Sequence, residues 1–251
     1  DRAQQLLKEA LELSPEEAEV WSFQADLLYG QGEAEKAEAG YSKAIELRKL
    51  NQIDRAKRAL VRFGLKKYEE AEKDIQILKS EAPRLFLTHY VDGLLALRQG
   101  KFADAAQAFQ ASYEADPSHL PTQVYLASSH LRLGHKEEAL AIANRVYAAA
   151  PRSSTVRQLL SAIQASRSEF DAAKKVLLED LRDSPNNVVV LRMLANVAIL
   201  EGNAAQGVEY ARKLVALEPK SRQAQDMLRL AQLIAGQKLD DKVIDSESQT
   251  A

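Results

Sequence analysis

Residues 86–119 read FLTHYVDGLLALRQGKFADAAQAFQASYEADPSH, and the next 34 residues, 120–153, read LPTQVYLASSHLRLGHKEEALAIANRVYAAAPRS. Aligned, the two keep Gly100 with Gly134, Ala105 with Ala139, and Pro117 with Pro151. The spacing extends both ways. Pro15, Pro83, Pro117, Pro151, Pro185 and Pro219 are separated by 34 residues or a multiple of it, and of seven prolines only Pro121 lies off the series. Small residues stand twelve places ahead of these prolines, at Ala3, Ala71, Ala105, Ala139, Ala173 and Gly207. Ala37 keeps the same phase, although Lys49 replaces its proline. A third series supplies Gly32, Gly100, Gly134, Gly202 and Gly236.

Each series has a mechanical reading. A proline after an apolar helical run ends that helix and suits the first turn of the next. The glycines fall between two helical patterns, where a left-handed residue closes the first helix. The small residues mark close helix crossings. Between these markers apolar residues recur at helical spacing, as in Leu191, Leu194, Ala195 and Ala198. One unit is therefore helix, turn, helix, and neither helix can bury its apolar face alone. Composition agrees: 46% of residues are apolar and 28% charged, with few aromatics and many good helix formers.

The pattern resembles the tetratricopeptide repeat family over nearly the whole chain. Within 18–51, Trp21, Ala25, Leu28, Gly32, Ala37, Tyr41 and Ala44 occupy its signature places. Gly93, Gly100, Phe102, Ala105, Phe109 and Pro117 do so in the unit from Phe86. In the unit from Val188 the matching residues are Leu191, Leu194, Ala195, Gly202 and Pro219. The resemblance implies an all-α, right-handed α-solenoid of about fourteen helices, with a concave face lined by the first helix of each unit.

The expected organisation is a solenoid over 1–236 followed by a polar tail, 237–251, read as linker or disordered terminus. A partial hairpin (1–17) opens inside a second-type helix, Arg2 to Leu13. Hairpins follow at 18–51, 52–85, 86–119, 120–153, 154–187 and 188–221, then a final helix at 222–236. Opening in mid-hairpin suggests a piece of a longer array. Ser14 with Glu17 reads as a capping box, and Asn186 or Asn187 as a helix cap.

One unit departs from the pattern. Strict phase would place Arg55, Arg58 and Arg62 in the core, where charges need partners. Sliding that helix by two residues puts Ile53, Ala56 and Leu60 inside and Gly64 at the turn. The spacing then predicts a tight join near 48–52 and a longer turn at 64–67.

Signals of chemistry are few. A chain without cysteine has no disulfide, thiolate metal site or cysteine nucleophile. His130 and His135 are five apart, off one helix face, and His89 and His119 lie in other units, so no metal is expected. Gly30-Gln31-Gly32 is a hairpin turn and not a phosphate loop, because no strand precedes it. No cofactor or catalytic residue is indicated. A net charge of -2 sets up no field toward nucleic acid, and no apolar run is long enough to cross a membrane.

Two surfaces remain. Arg48 to Lys67 carries eight basic residues against Asp54 alone, and Arg55, Arg58, Arg62, Lys66 and Lys67 form a candidate basic patch. It could meet polysaccharide, nucleic acid or an acidic partner, or simply be a solvated helix face. The tetratricopeptide resemblance implies that the second, fifth, ninth and twelfth places of each first helix face the groove. These are Leu87, Tyr90, Leu94 and Leu97, then Pro121, Val124, Ser128 and Leu131 with Tyr125 adjacent, an apolar groove suited to a peptide or helix. Neighbouring helices could equally cover it. Arg192 with Asn196 approaches the Lys and Asn that some family members use to hold C-terminal carboxylates, but in one unit only.

The middle of the chain also resembles the repeat lipoproteins of bacterial exosortase (PEP-CTERM) and exopolysaccharide systems, through Asp74, Leu78, Lys79, Ala82, Pro83, Tyr90 and Gly93. Leu120-Pro121, Arg157 and Leu159-Leu160 agree further on. That resemblance implies an exported, envelope-associated or periplasmic scaffold. The lipid-bearing cysteine of those proteins is missing from this sequence. The expected function is a non-catalytic protein-interaction scaffold. Polyanion binding through 48–67, or service as the targeting arm of a larger enzyme, are the competing expectations.

Overall fold

A computed structural model describes residues 2–237, which form fourteen helices and no strand. By internal packing the chain divides into two compact units. The first, Asp1–Leu133, holds α1 (Arg2–Leu13), α2 (Ala18–Gly30), α3 (Ala34–Leu47), α4 (Gln52–Gly64), α5 (Tyr68–Glu81), α6 (Phe86–Arg98), α7 (Phe102–Ala115) and α8 (Leu120–Arg132). The second, Gly134–Ala251, holds α9 (Lys136–Ala149), α10 (Ser154–Ser166), α11 (Phe170–Asp183), α12 (Val188–Glu201), α13 (Ala204–Leu217) and α14 (Arg222–Ile234). The tail expected at 237–251 lies, beyond Gln237, outside the described residues.

Within each unit every helix packs on the next in sequence, and first-type helices also touch: α4 meets α6, α10 meets α12, and α12 meets α14. The small residues do what their spacing implies. Ala37, Ala71, Ala105, Ala139 and Ala173 are fully buried at the crossings. At Gly93 the approach is closer still, since an added Cβ would come within 2.7 Å of the Phe109 ring.

A left-handed residue closes each first-type helix. Gly32, Lys66, Gly100, Gly134, Ser168, Gly202 and Gly236 all have φ between +62° and +89°. Five are glycine, for which this region is free of strain. Lys66 and Ser168 occupy the same position without that advantage.

A second recurrent feature joins the units of the repeat. At the fourth place of every first-type helix but α12 a side chain meets the carbonyl six residues earlier, at the proline position. Trp21 reaches Pro15 at 2.8 Å, Gln123 reaches Pro117 at 2.9 Å, Arg157 reaches Pro151 at 2.7 Å, and Gln225 reaches Pro219 at 2.8 Å. His89 lies 2.8 Å from the Pro83 carbonyl, and Arg55 makes a longer 3.4 Å bond to Lys49. These N–H donors strap each joint by satisfying a carbonyl that no helix ladder serves. Leu191 alone has nothing to donate.

The structure corrects the reading of residues 48–67. The joint from α3 to α4 spans 48–51 and the turn from α4 to α5 spans 65–67, the same lengths as in the neighbouring hairpins. Helix α4 breaks at the standard place and in strict phase. Ala56 is buried as expected, but Ile53 is 55% exposed and Leu60 only half-buried. The capping box also fails: Glu17 caps α2 with no side-chain bond. Asn187 does cap α12, accepting from the Val189 and Val190 amides at 3.1 and 3.3 Å.

Candidate protein-docking face

The basic stretch is an internal ion-pair network. Asp74 of α5 is 2% exposed and sits among three guanidinium groups of α4. Arg58 donates to it through Nε at 2.9 Å and Nη2 at 2.6 Å, Arg62 through Nη1 at 2.8 Å, and Arg55 lies 3.7 Å away. Arg62 also donates to Glu38 of α3 at 2.8 Å, and Arg58 to Ser42 at 3.1 Å. Lys67 completes the pairing of Glu38. Burial alone would raise the Glu38 carboxyl, but hydrogen bonds from Lys67 and Arg62 outweigh it and hold Glu38 below the usual range. The desolvation cost that argued against buried arginine is thus offset by fixed carboxylates. Of the candidate basic patch only Lys66 and Lys67 are exposed.

The predicted apolar groove is partly filled. Tyr90 and Leu94, expected on its open face, are buried at 8% and 5% exposure. The Tyr90 ring is enclosed by Phe109 at 6.0 Å, His119 at 4.8 Å and Tyr125 at 6.0 Å. Burial, with a smaller contribution from Tyr125, pushes the Tyr90 hydroxyl up to about 12. Tyr90 and Leu94 therefore support the face from beneath. Leu87, Leu97, Val124 and Ser128 are half-buried around it.

Tyr125 is exposed, at 36%, as is Pro121 at the start of α8. Its ring stacks on fully buried Phe109, centroids 5.4 Å apart and planes 15° from parallel. Phe109 in turn fills the space left by Gly93. The outcome is an aromatic surface packed from beneath by Phe109. His119 closes one edge: its Nδ1 lies 2.7 Å from the Thr122 hydroxyl, and burial lowers its pKa against the pull of Asp116.

Arg192 and Asn196 lie in the second unit. Arg192 pairs with Glu218 at 3.4 Å, so its charge is already engaged, while Asn196 is exposed. The strap donors escaped the sequence reading, because their signal is a shared chemical capacity at a 34-residue period and not a shared residue.

Among the described residues no three His, Cys, Asp or Glu side chains converge as metal ligands, and no helix is long and apolar enough to cross a membrane.

Comparison with known proteins supports the repeat assignment. Tetratricopeptide repeat family models match residues 1–49 and 96–163. No curated protein sequence matches. The fold is similar to the crystal structure of the APC/C hetero-tetramer Cut9–Hcn1, with TM-score 0.78 and 15% identity, over 92% of this chain and 46% of that one. This chain thus spans under half the length of that relative. It is also similar to PilW, a widely conserved type IV pilus biogenesis factor, with TM-score 0.74 and 19% identity over 84% of this chain and 98% of PilW. For Pseudomonas aeruginosa PilF the values are 0.69 and 15%, over 83% and 95%. At these identities the likeness establishes the tetratricopeptide-repeat fold.

Proposed function

We propose that this chain of tetratricopeptide repeats is a non-catalytic scaffold that holds a segment of a partner protein on the α6–α8 face of its first unit. The observation that carries the reading is Tyr125, an exposed ring fixed flat on buried Phe109. Pre-set aromatic surface offers large contact area at little entropic cost, and aromatic anchors dominate protein interfaces. Half-buried Leu87, Leu97 and Val124 extend it with apolar surface, which suits an apolar or aromatic segment. We place the scaffold in an envelope-associated export or exopolysaccharide assembly, on the resemblance carried by Asp74 to Leu160. The alternative of polyanion binding finds little support, because the arginines of α4 already face Asp74 and Glu38.

A photo-crosslinking amino acid at position 125 should trap a protein partner that the same group at Lys36, on α3, does not. Purified partner should then bind the Tyr125→Ser chain about tenfold or more weakly. Equal trapping at both positions, or unchanged affinity, would remove the face from consideration. Fractionation of the source cells tests the compartment.

A further inference from the structure

We propose that the trough between α11 and α13 is a second docking site, for an acidic amphipathic helix of another protein. It begins where the strap series fails. Leu191 is buried and its side chain has no N–H to give, and among the described residues no donor reaches the Pro185 carbonyl. A cleft of about 540 Å³ opens at this joint, floored by Leu191 and walled by Leu178, Leu181 and Leu217.

Its apolar character departs from the repeat. The places equivalent to Leu178 are Ser42, Gln76, Gln110, Asn144 and Arg212, all polar, as a solvated helix face requires. Those equivalent to Leu217 are Leu13, Leu47, Glu81, Ala115, Ala149 and Asp183, so the departure lies chiefly at Leu178. Two leucines, 36% and 40% exposed, line this one cleft between second-type helices. Exposed leucine paired in this way carries a hydration cost that a bound apolar side chain removes.

The trough continues. A depression of about 360 Å³ shares Leu178 and Arg182 with the cleft and extends to Lys175 and Gln206. Together they follow α11, whose 14 residues measure about 21 Å, the length of a bound helix of about four turns.

Charge identifies the occupant. The lining holds Lys174, Lys175, Arg182 and Lys213 against Asp171 and Glu179, in a chain of net charge -2. Lys174 is held by Glu201, Lys213 by Glu209, and Glu179 accepts from the Tyr147 hydroxyl. Lys175 and Arg182 have no ion pair among the described residues. They are seven apart on α11, so Lys175, Leu178, Glu179 and Arg182 share one helix face, with Glu179 drawn to the Tyr147 hydroxyl. The complement is an apolar stripe flanked by carboxylates two turns apart. A basic helix would set like charge beside Lys175 and Arg182, neither of which has an ion pair among the described residues.

The test uses the full chain and two labelled 14-residue helical peptides, each with a leucine stripe, one carrying Glu at the flanking positions and the other Lys. Fluorescence anisotropy should show the Glu peptide binding about tenfold or more tightly, with the preference shrinking as salt rises. Leu178→Gln with Leu217→Asp, residues that other hairpins carry at these places, should abolish binding while circular dichroism and Tm stay unchanged. Arg182→Glu should weaken the Glu peptide about tenfold. Tyr125→Ser should leave it untouched, which separates this site from the α6–α8 face. Equal binding of the two peptides, or binding that survives the leucine substitutions, would overturn the proposal. So would a dimer in sedimentation that the leucine substitutions disperse, because the trough would then belong to a second copy.

Discussion

Arg58 grips Asp74 with two nearly parallel hydrogen bonds, Nε to Oδ2 at 2.9 Å and Nη2 to Oδ1 at 2.6 Å. The fork of a guanidinium matches a carboxylate in this way, which gives direction as well as charge. Asp74 lies where the later repeats put apolar core, in the place of Ala108, Ile142 and Val176. Arg62 and Arg55 converge on the same carboxylate, so one acid organises three bases.

Removing that acid should be severe. The side chains of Arg58 and Arg62 are 13% and 16% exposed and would be left without their main counter-charge. Asp74→Ala is expected to cost roughly 3–5 kcal/mol of unfolding free energy, read from urea denaturation. Charge reversal of Arg55, Arg58 and Arg62 to Glu should prevent folding, visible as lost helical signal, before any effect on binding can be measured.

The hairpin turns offer a gain instead. Lys66 and Ser168 hold φ of 62° and 63°, in a conformation that costs an L-residue about 1 kcal/mol or more. Neither side chain has a hydrogen bond among the described residues, and both are exposed. Lys66→Gly and Ser168→Gly should each stabilise by about 0.5–1 kcal/mol, less the extra backbone entropy of an unfolded glycine. A rise in Tm for each, roughly additive in the double variant, is the expected result.

Two substitutions at Arg157 separate the strap from the ion pair. Its Nε serves the Pro151 carbonyl at 2.7 Å while Nη1 reaches Asp183 at 2.6 Å. Arg157→Gln keeps a donor of the kind Gln123 and Gln225 use in the same role, whereas Arg157→Met removes both functions. Both variants lose the ion pair. The glutamine variant should nevertheless retain about 1 kcal/mol more stability, the worth of one hydrogen bond.

Acid should act through His119. Its folded pKa is lowered, first by burial and against Asp116, so the unfolded chain takes up the proton more readily. The contribution to stability is therefore full above the unfolded value near 6.5 and falls away as pH drops through the lowered folded one. Wild type should lose more stability than His119→Gln between about pH 8 and pH 5, measured by denaturant midpoint.

How far the sequence could be read is clearest at α4. The 34-residue period placed the helices, because proline and left-handed turns are local and carry their own letters. The arginines misled, since a rule about one residue in the core cannot see partners supplied by other helices. Asp74 and Glu38 lie 16 and 24 residues from the arginines they hold. The visible clue was an acid at a core place of the adjoining helix. Tyr90 and Leu94 misled for a related reason. Their place in the helix was read correctly, but Phe109, His119 and Tyr125 close over Tyr90 from later in the chain, and sequence order says little about which neighbour is tallest.

The strap bears on how such a chain ages. Tryptophan, arginine, histidine and glutamine perform one task at one place, so substitutions among them are nearly silent to the joint although they look radical as letters. Lineages can wander among these four without leaving the fold, and identity between copies erodes while their geometry stands still. A comparison scored by N–H reach at that place would recover kinship that a comparison of residue types has already lost.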